Sequence, residues 1–212
     1  ERIVTDLFHQ MQHEGIAPNI VTWNAMMACY AMHGSSHTVF QLFEQITLEP
    51  DCVTLVSLLK ACKNLILLRE IHAYIIEMDF QKEIIVGNTI IDLYAKMGSL
   101  ADAYKVILKL NDRNAVSWSA LIAGCVLNGN IYEAEILFRK MEAEGIELHN
   151  VAWNALISGY AQEEQRSLEA LNCFECMLIE GTVPNSITFI CVLKACGNIW
   201  AIIEGGRIHN EI

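Results

Sequence analysis

The chain repeats itself, and no other property restricts its fold as much. Residues 21–31 read VTWNAMMACYA, 86–95 VGNTIIDLYA, 116–126 VSWSALIAGCV and 151–161 VAWNALISGYA. A second phrase recurs as LLKACKN at 58–64 and VLKACGN at 192–198, each followed by an Ile-His pair, Ile71-His72 and Ile208-His209. The equivalent positions 24, 56, 88, 119, 154 and 190 are separated by steps of 32, 32, 31, 35 and 36 residues. A step in the low-to-mid thirties is that of stacked helical hairpins, in which a unit cannot bury its apolar face alone and must lean on its neighbours.

Punctuation within the units agrees. Pro18, Pro50 and Pro184 each stand one residue before the end of a unit, where a helix cannot continue. Gly15, Gly145 and Gly181 stand four residues before such an end, where a helix closes in a left-handed cap. The first helix of each unit is apolar nearly all round, as a helix covered on two sides should be. The second is amphipathic, with Ile131, Ala134, Ile136-Leu137-Phe138 and Met141 at helical spacing. Strand alternation is missing. The fold class expected is all-α, a solenoid of helix-turn-helix repeats.

Composition narrows the function. The chain is 53% hydrophobic with a mean hydropathy of +0.31, yet every long apolar run is interrupted; the richest, 187–203, is broken by Lys194 and Gly197-Asn198. A membrane helix is therefore not expected. Eight cysteines lie within apolar helical stretches and read as reduced, buried thiols. Glu1 falls inside a helical pattern, so the sequence reads as part of a longer chain, and it shows no targeting segment. The formal net charge of −11 argues on its face against a nucleic-acid partner.

A tetratricopeptide array would hold to 34 residues with a Leu-Gly…Tyr phrase in its first helix. Here unit length varies. The phrase Val-x-Trp-Asn-Ala-Leu-Ile, with Glu133-Ala134, Phe138, Met141-Glu142 and Gly145-Ile146 in the second helix, resembles the pentatricopeptide repeat family over the whole chain. Residues 84–114 resemble the short repeat of the plant subclass that mixes three lengths. Residues 52–83 and 186–212 resemble its long variant, 20–51, 115–149 and 150–185 its standard unit, and 1–19 the tail of another. The resemblance implies a right-handed superhelix that binds single-stranded RNA at one base per repeat. It also implies a mitochondrial or chloroplast setting, a role in RNA processing or cytidine editing, editing or ribonucleoprotein proteins as possible partners, and neither a cofactor nor a small-molecule substrate.

By that resemblance, the fifth and last residues of a repeat read the base. The pairs are Asn24/Asp51, Val56/Glu83, Asn88/Asn114, Ser119/His149 and Asn154/Asn185. The correspondence implies uracil for the first, pyrimidines for the two Asn/Asn pairs and a purine opposite Ser119, while Val56 and Ile190 cannot hydrogen-bond a base. The second residues, Val21, Val53, Ile85, Val116, Val151 and Ile187, would stack on base faces, and Lys96 would meet a phosphate. The residues themselves leave plainer readings open. β-Branched residues also start buried helices, and Asn24, Asn88 and Asn154 could simply cap the first helices.

The twelve-residue windows beginning at the second positions contain Lys60, Lys63, Lys96 and Lys194 against Asp92, a net +3. The acids concentrate on the second helices and turns. Three departures from the family pattern stand out. Units 20–51 and 52–83 are three residues short, a deficit expected in their second helices, Leu148 stands where proline is usual, and 150–185 carries one extra residue. Cys173-x-x-Cys176 with Cys191 and Cys196 has poor spacing for zinc, and the pairs His9/His13 and His33/His37 lack an acidic third ligand. Neither a deaminase motif nor a nucleophile–base set is legible, so no enzyme is expected. The rival from another class is a protein-interaction scaffold, such as a structural subunit of an organellar ribonucleoprotein.

Overall fold

The structure, a computed structural model, describes residues 2–200, which contain helices, turns and no strand. The hairpins follow one another in chain order. Helix α1 (Arg2–His13) precedes α2 (Ile20–Met32) and α3 (Ser36–Gln45), then α4 (Cys52–Lys60) and α5 (Leu65–Glu77). Next come α6 (Ile84–Lys96) with α7 (Leu100–Lys109), and α8 (Ala115–Leu127) with α9 (Ile131–Ala143). The series ends in α10 (Asn150–Gln162), α11 (Ser167–Ile179) and α12 (Ser186–Asn198). Ile208-His209 and the rest of the final partial repeat lie outside the described residues.

The even-numbered helices from α2 to α12 are the first helices of the hairpins, and they pack side by side in one continuous layer. This explains their apolar surroundings. Trp118, Ile90, Ile91, Leu121 and Ile122 are almost fully buried between neighbours, and each aliphatic side chain so covered contributes about 1.5–3 kcal/mol. The second helices lie outside this layer and are linked to one another mainly by long side chains. Arg69 of α5 meets Asp102 of α7 at 2.7 Å, Lys140 of α9 donates to Tyr104 of α7 at 2.7 Å, and Arg166 reaches Glu135 of α9 at 3.4 Å. A close inner layer with a looser outer one bends the stack toward the first helices. The molecule is an α-solenoid.

Turns hold the hairpins at a fixed angle. Helix α6 ends at Gly98, whose φ of +79° is the left-handed conformation that a side chain disfavours. There the Ser99 N–H reaches Tyr94 C=O at 2.8 Å and the Gly98 N–H reaches Ala95 C=O at 3.1 Å, which closes the helix in a Schellman motif. The same geometry recurs at Gly15, Gly34, Gly129, Gly145 and Gly181.

Three expectations change in detail. The deficit in 20–51 does fall in its second helix, α3, but in 52–83 it falls in the first. Helix α4 stops at Lys60 after 9 residues, whereas α5 runs to 13. The cause is local: Asn64 accepts the Leu67 N–H at 2.9 Å and starts α5 early, with no glycine in the turn. Ile136, counted with the apolar stripe of α9, faces solvent. Lys63 lies beyond the end of α4 and donates to Gly34 C=O at 2.6 Å, so it does not belong to the first-helix face. The extra residue of 150–185 is absorbed in a short 3-10 turn, Glu164–Arg166.

Side chains of the long-variant motif find structural partners. Ile71 is buried, and His72 Nδ1 is 3.1 Å from Tyr94 Oη with the rings edge to face. Burial pushes the Cys173 thiol up to about 12, so it stays protonated inside α11. Among the described residues, no helix is long and apolar enough to cross a membrane.

Candidate nucleic-acid interface

A first helix starting at the end of a turn exposes one face of its opening residues, and its second residue decides what that face offers. Val21, Val53, Ile85, Val116, Val151 and Ile187 are all between 56% and 68% exposed. They do not begin their helices by burial. Six β-branched side chains held in solvent at one register form a row that a folded chain has no internal reason to keep apolar. Their stiff χ1 makes each a flat, low-entropy platform.

The asparagines occupy a different place from the capping role left open above. Asn24, Asn88 and Asn154 lie inside their helices, a turn from the start. Capping is done by the last residue of the preceding repeat. Asn19, Asp51, Asn114 and Asn185 each accept the N–H three residues on, at 2.9–3.1 Å. Each last residue therefore seals the helix that follows it and leaves part of its side chain for the reader behind it.

The two roles meet in a hydrogen-bonded cluster. Asn24 Nδ2 donates to Asp51 Oδ1 at 2.9 Å, while the Thr54 hydroxyl lies 2.6 Å from Asn24 Oδ1 and 2.9 Å from Asp51 Oδ1. The arrangement recurs near the far end of the array. Asn154 Nδ2 donates to Asn185 Oδ1 at 3.1 Å, and Thr188 donates to Asn154 Oδ1 at 2.6 Å. In the third case, Ser117 bridges Asn88 and Asn114 through a very short bond to Asn88 and one of 3.2 Å to Asn114. Burial raises the Asp51 carboxyl, but hydrogen bonds from the Thr54 N–H, Asn24 and the Thr54 hydroxyl outweigh it, so the group stays ionised below its ordinary range.

Asn24 and Asn154 are only 6% and 8% exposed. A primary amide has two N–H donors and two carbonyl lone pairs. The cluster uses one of each, so one donor and one acceptor of the amide remain.

The other two pairs behave differently. Val56 has no polar atom to offer, and Glu83 makes no side-chain cap bond. Ser119 is buried, and His149, at the start of α10, is exposed and does not cap; it lies 3.7 Å from Glu147. In both, the residue at the third helical position is apolar, Val86 or Ala152. The hydroxyls of Thr54, Ser117 and Thr188 were not singled out from sequence. The available signal was their fixed register: each stands three residues after the Asp or Asn that ends an asparagine unit, and the units without one have a different reader.

A cleft of about 440 Å³ opens between α6 and α8 and gathers Asn88, Ser119, Val116, His149 and Val151. Ala115, Ala120 and Ala123 also line it, as do Thr89, Asp92 and Leu93. Lys60, from two helices upstream, borders this cleft too, and among the described residues no ion pair engages it. Lys96, expected to meet a phosphate, is tied to Asp92 at 2.7 Å. Lys60 is therefore the less encumbered cation on this face.

Comparison with known proteins now bears on the family. A PPR repeat family description matches residues 148–198, a PPR repeat description matches 88–114 and 116–146, and a pentatricopeptide repeat domain description matches 6–65. The chain belongs to the pentatricopeptide repeat family.

Relatives in Arabidopsis thaliana carry the same repeats. The chloroplastic pentatricopeptide repeat-containing protein At4g18520 is 30% identical over 91% of this chain and 26% of its own length. The putative pentatricopeptide repeat-containing protein At1g56570 is 31% identical over 93% of the chain and 33% of its own. The chain thus spans a third or less of these relatives. Maize pentatricopeptide repeat protein PPR10 has the same fold, with a TM-score of 0.72 at 23% identity over 98% of this chain and 31% of that one. PPR10 in complex with an 18-nucleotide psaJ RNA element also matches, with a TM-score of 0.57 at 19% identity over 98% of this chain and 36% of that one.

Proposed function

We propose that this pentatricopeptide array is a sequence-selective module for single-stranded RNA, with units beginning at residues 20, 52, 84, 115, 150 and 186. Each β-branched side chain of the exposed row stacks on a base. Asn24 with Asp51 reads a uracil, and Asn88 with Asn114 and Asn154 with Asn185 each read a pyrimidine. Ser119 with His149 reads a fourth, for which a purine is the expectation, and the unit containing Val56 imposes no preference. Lys60 and, more weakly, Lys96 meet phosphates. The setting proposed is a mitochondrion or chloroplast, within a factor for RNA processing or editing of the mixed-length plant subclass.

The observation that carries this reading is the hydrogen-bonded contact between asparagine and cap in the units beginning at 20 and 150, bridged by Ser117 in the unit beginning at 84, beside a solvent-exposed apolar row. The asparagine of such a pair is not needed for an ordinary helix start, where the cap alone would suffice. The PPR10–RNA complex supports RNA as the ligand class.

The test is anisotropy binding of the 212-residue chain to short single-stranded RNAs at two salt concentrations. Pyrimidine-selective binding that disappears in the double variant Asn24→Ala/Asn154→Ala is the expected result. Absence of binding at low salt would remove the proposal and favour a protein-interaction scaffold, for which the acidic outer helices would be the contact surface.

A further inference from the structure

We propose that the hydroxyl at the third position of each following helix, Thr54 for Asn24 and Thr188 for Asn154, is a positioning residue that decides which face of the reader's amide meets the base. This rests on the RNA-reading role proposed above and extends it to residues outside the reader pairs.

The argument starts from the symmetry of a primary amide. Rotation by 180° about its last bond exchanges a donor for an acceptor with almost no change in shape, so an asparagine left alone presents either to a ligand. Selectivity between uracil and cytosine turns on that difference. Uracil offers an acceptor at O4 where cytosine offers a donor at N4, as thymine and cytosine differ in DNA. A reader that separates them must keep its amide in one orientation.

The two ends of the amide meet different groups. The Thr54 hydroxyl accepts the Asp51 N–H at 3.2 Å and gives its one proton to Asn24 Oδ1 at 2.6 Å, while Asp51 Oδ1 accepts from Asn24 Nδ2 at 2.9 Å. Turning the amide over would set its oxygen against the Asp51 carboxylate and would oblige the Thr54 hydroxyl to accept from the amide nitrogen and turn its proton away. Thr188 and Asn185 hold Asn154 in the same way, at 2.6 and 3.1 Å. At Asn88, Ser117 donates to the amide oxygen.

The distribution along the chain agrees. Hydroxyls stand at this position behind all three asparagine readers. Val86 and Ala152 stand there behind Val56 and Ser119, which have no amide to orient. Thr54 and Thr188 are fully buried, so their hydroxyls act on the reader and not on the ligand.

The deciding experiment compares Thr54→Val, Thr54→Ser and Thr188→Val, each shown to be folded by denaturant titration, for binding to RNAs that carry uracil or cytosine opposite the affected repeat. Loss of one hydrogen bond that favours the correct orientation should reduce the uracil-to-cytosine preference at that nucleotide roughly 3- to 10-fold. Thr54→Ser should restore it. A merely structural hydroxyl would lower stability and total affinity while leaving the preference intact, and that result would overturn the inference. If the unaltered chain binds RNA with no preference at all, this inference and the base-reading role fall together. Selective binding that survives both valine substitutions removes the inference alone.

Discussion

A lysine on a folded surface is worth as much to a polyanion as its neighbours allow. Lys96 shares its charge with Asp92 one helical turn away, so an approaching phosphate must compete with a carboxylate already in place. Lys60 forms no ion pair among the described residues and stands at the border of the cleft that holds Asn88 and Ser119. Lys60→Gln should therefore flatten the salt dependence of RNA binding by about 0.7 in the logarithmic slope, the value of one phosphate contact on a single strand. Lys96→Gln should change it less. Binding isotherms across a series of salt concentrations measure both. The exposed row and the reader pairs were legible because they recur at one register in the sequence. Lys60 was counted there only as one charge among four, because its relation to a cleft two helices away depends on the curvature of the stack. Thr54 and Thr188 were missed for another reason: a threonine three residues after Asp or Asn reads as half of a capping box, which it also is.

At the level of the helices, the approach of α8 to α6 sets how tightly the inner layer stacks. A Cβ at Gly124 would lie 2.2 Å from Ala95 Cβ and 3.2 Å from Ala95 Cα. Backbone cannot yield as a flexible side-chain end can. Gly124→Ala should destabilise the chain by about 1–3 kcal/mol, more than the roughly 1 kcal/mol that alanine gains over glycine in helix propensity. Gly197 sits late in α12, and among the described residues nothing lies within 4 Å of its missing Cβ, so Gly197→Ala should be neutral or stabilising. Urea titration of the two variants separates packing from propensity. Helix order and kind were legible from the repeat step and from proline and glycine punctuation. The location of the missing residues in 52–83 was not. Counting residues measures the length of a hairpin and cannot say which arm is short, and the early start of α5 depends on how Asn64 is used in three dimensions.

For the molecule as a whole, stability is a sum over neighbours. Each first helix leans on the one before and the one after, and little connects regions further apart. Protection against amide exchange should therefore peak in α6, α8 and α10, covered on both sides, and fall toward α1 and α12. Exchange measured by mass spectrometry checks this, and uniform protection along the chain would contradict it.

The sharing of one side chain between a reader and the helix start of the next unit has a consequence for how such an array can change its target. On the proposed reading, Asp51 is at once a letter and part of the joint that holds the following letter in place. A new spelling at one position disturbs the masonry beside it, so retargeting, by evolution or by design, must proceed through linked sets such as Asn24, Asp51 and Thr54. Single-letter swaps would loosen the wall they are written on.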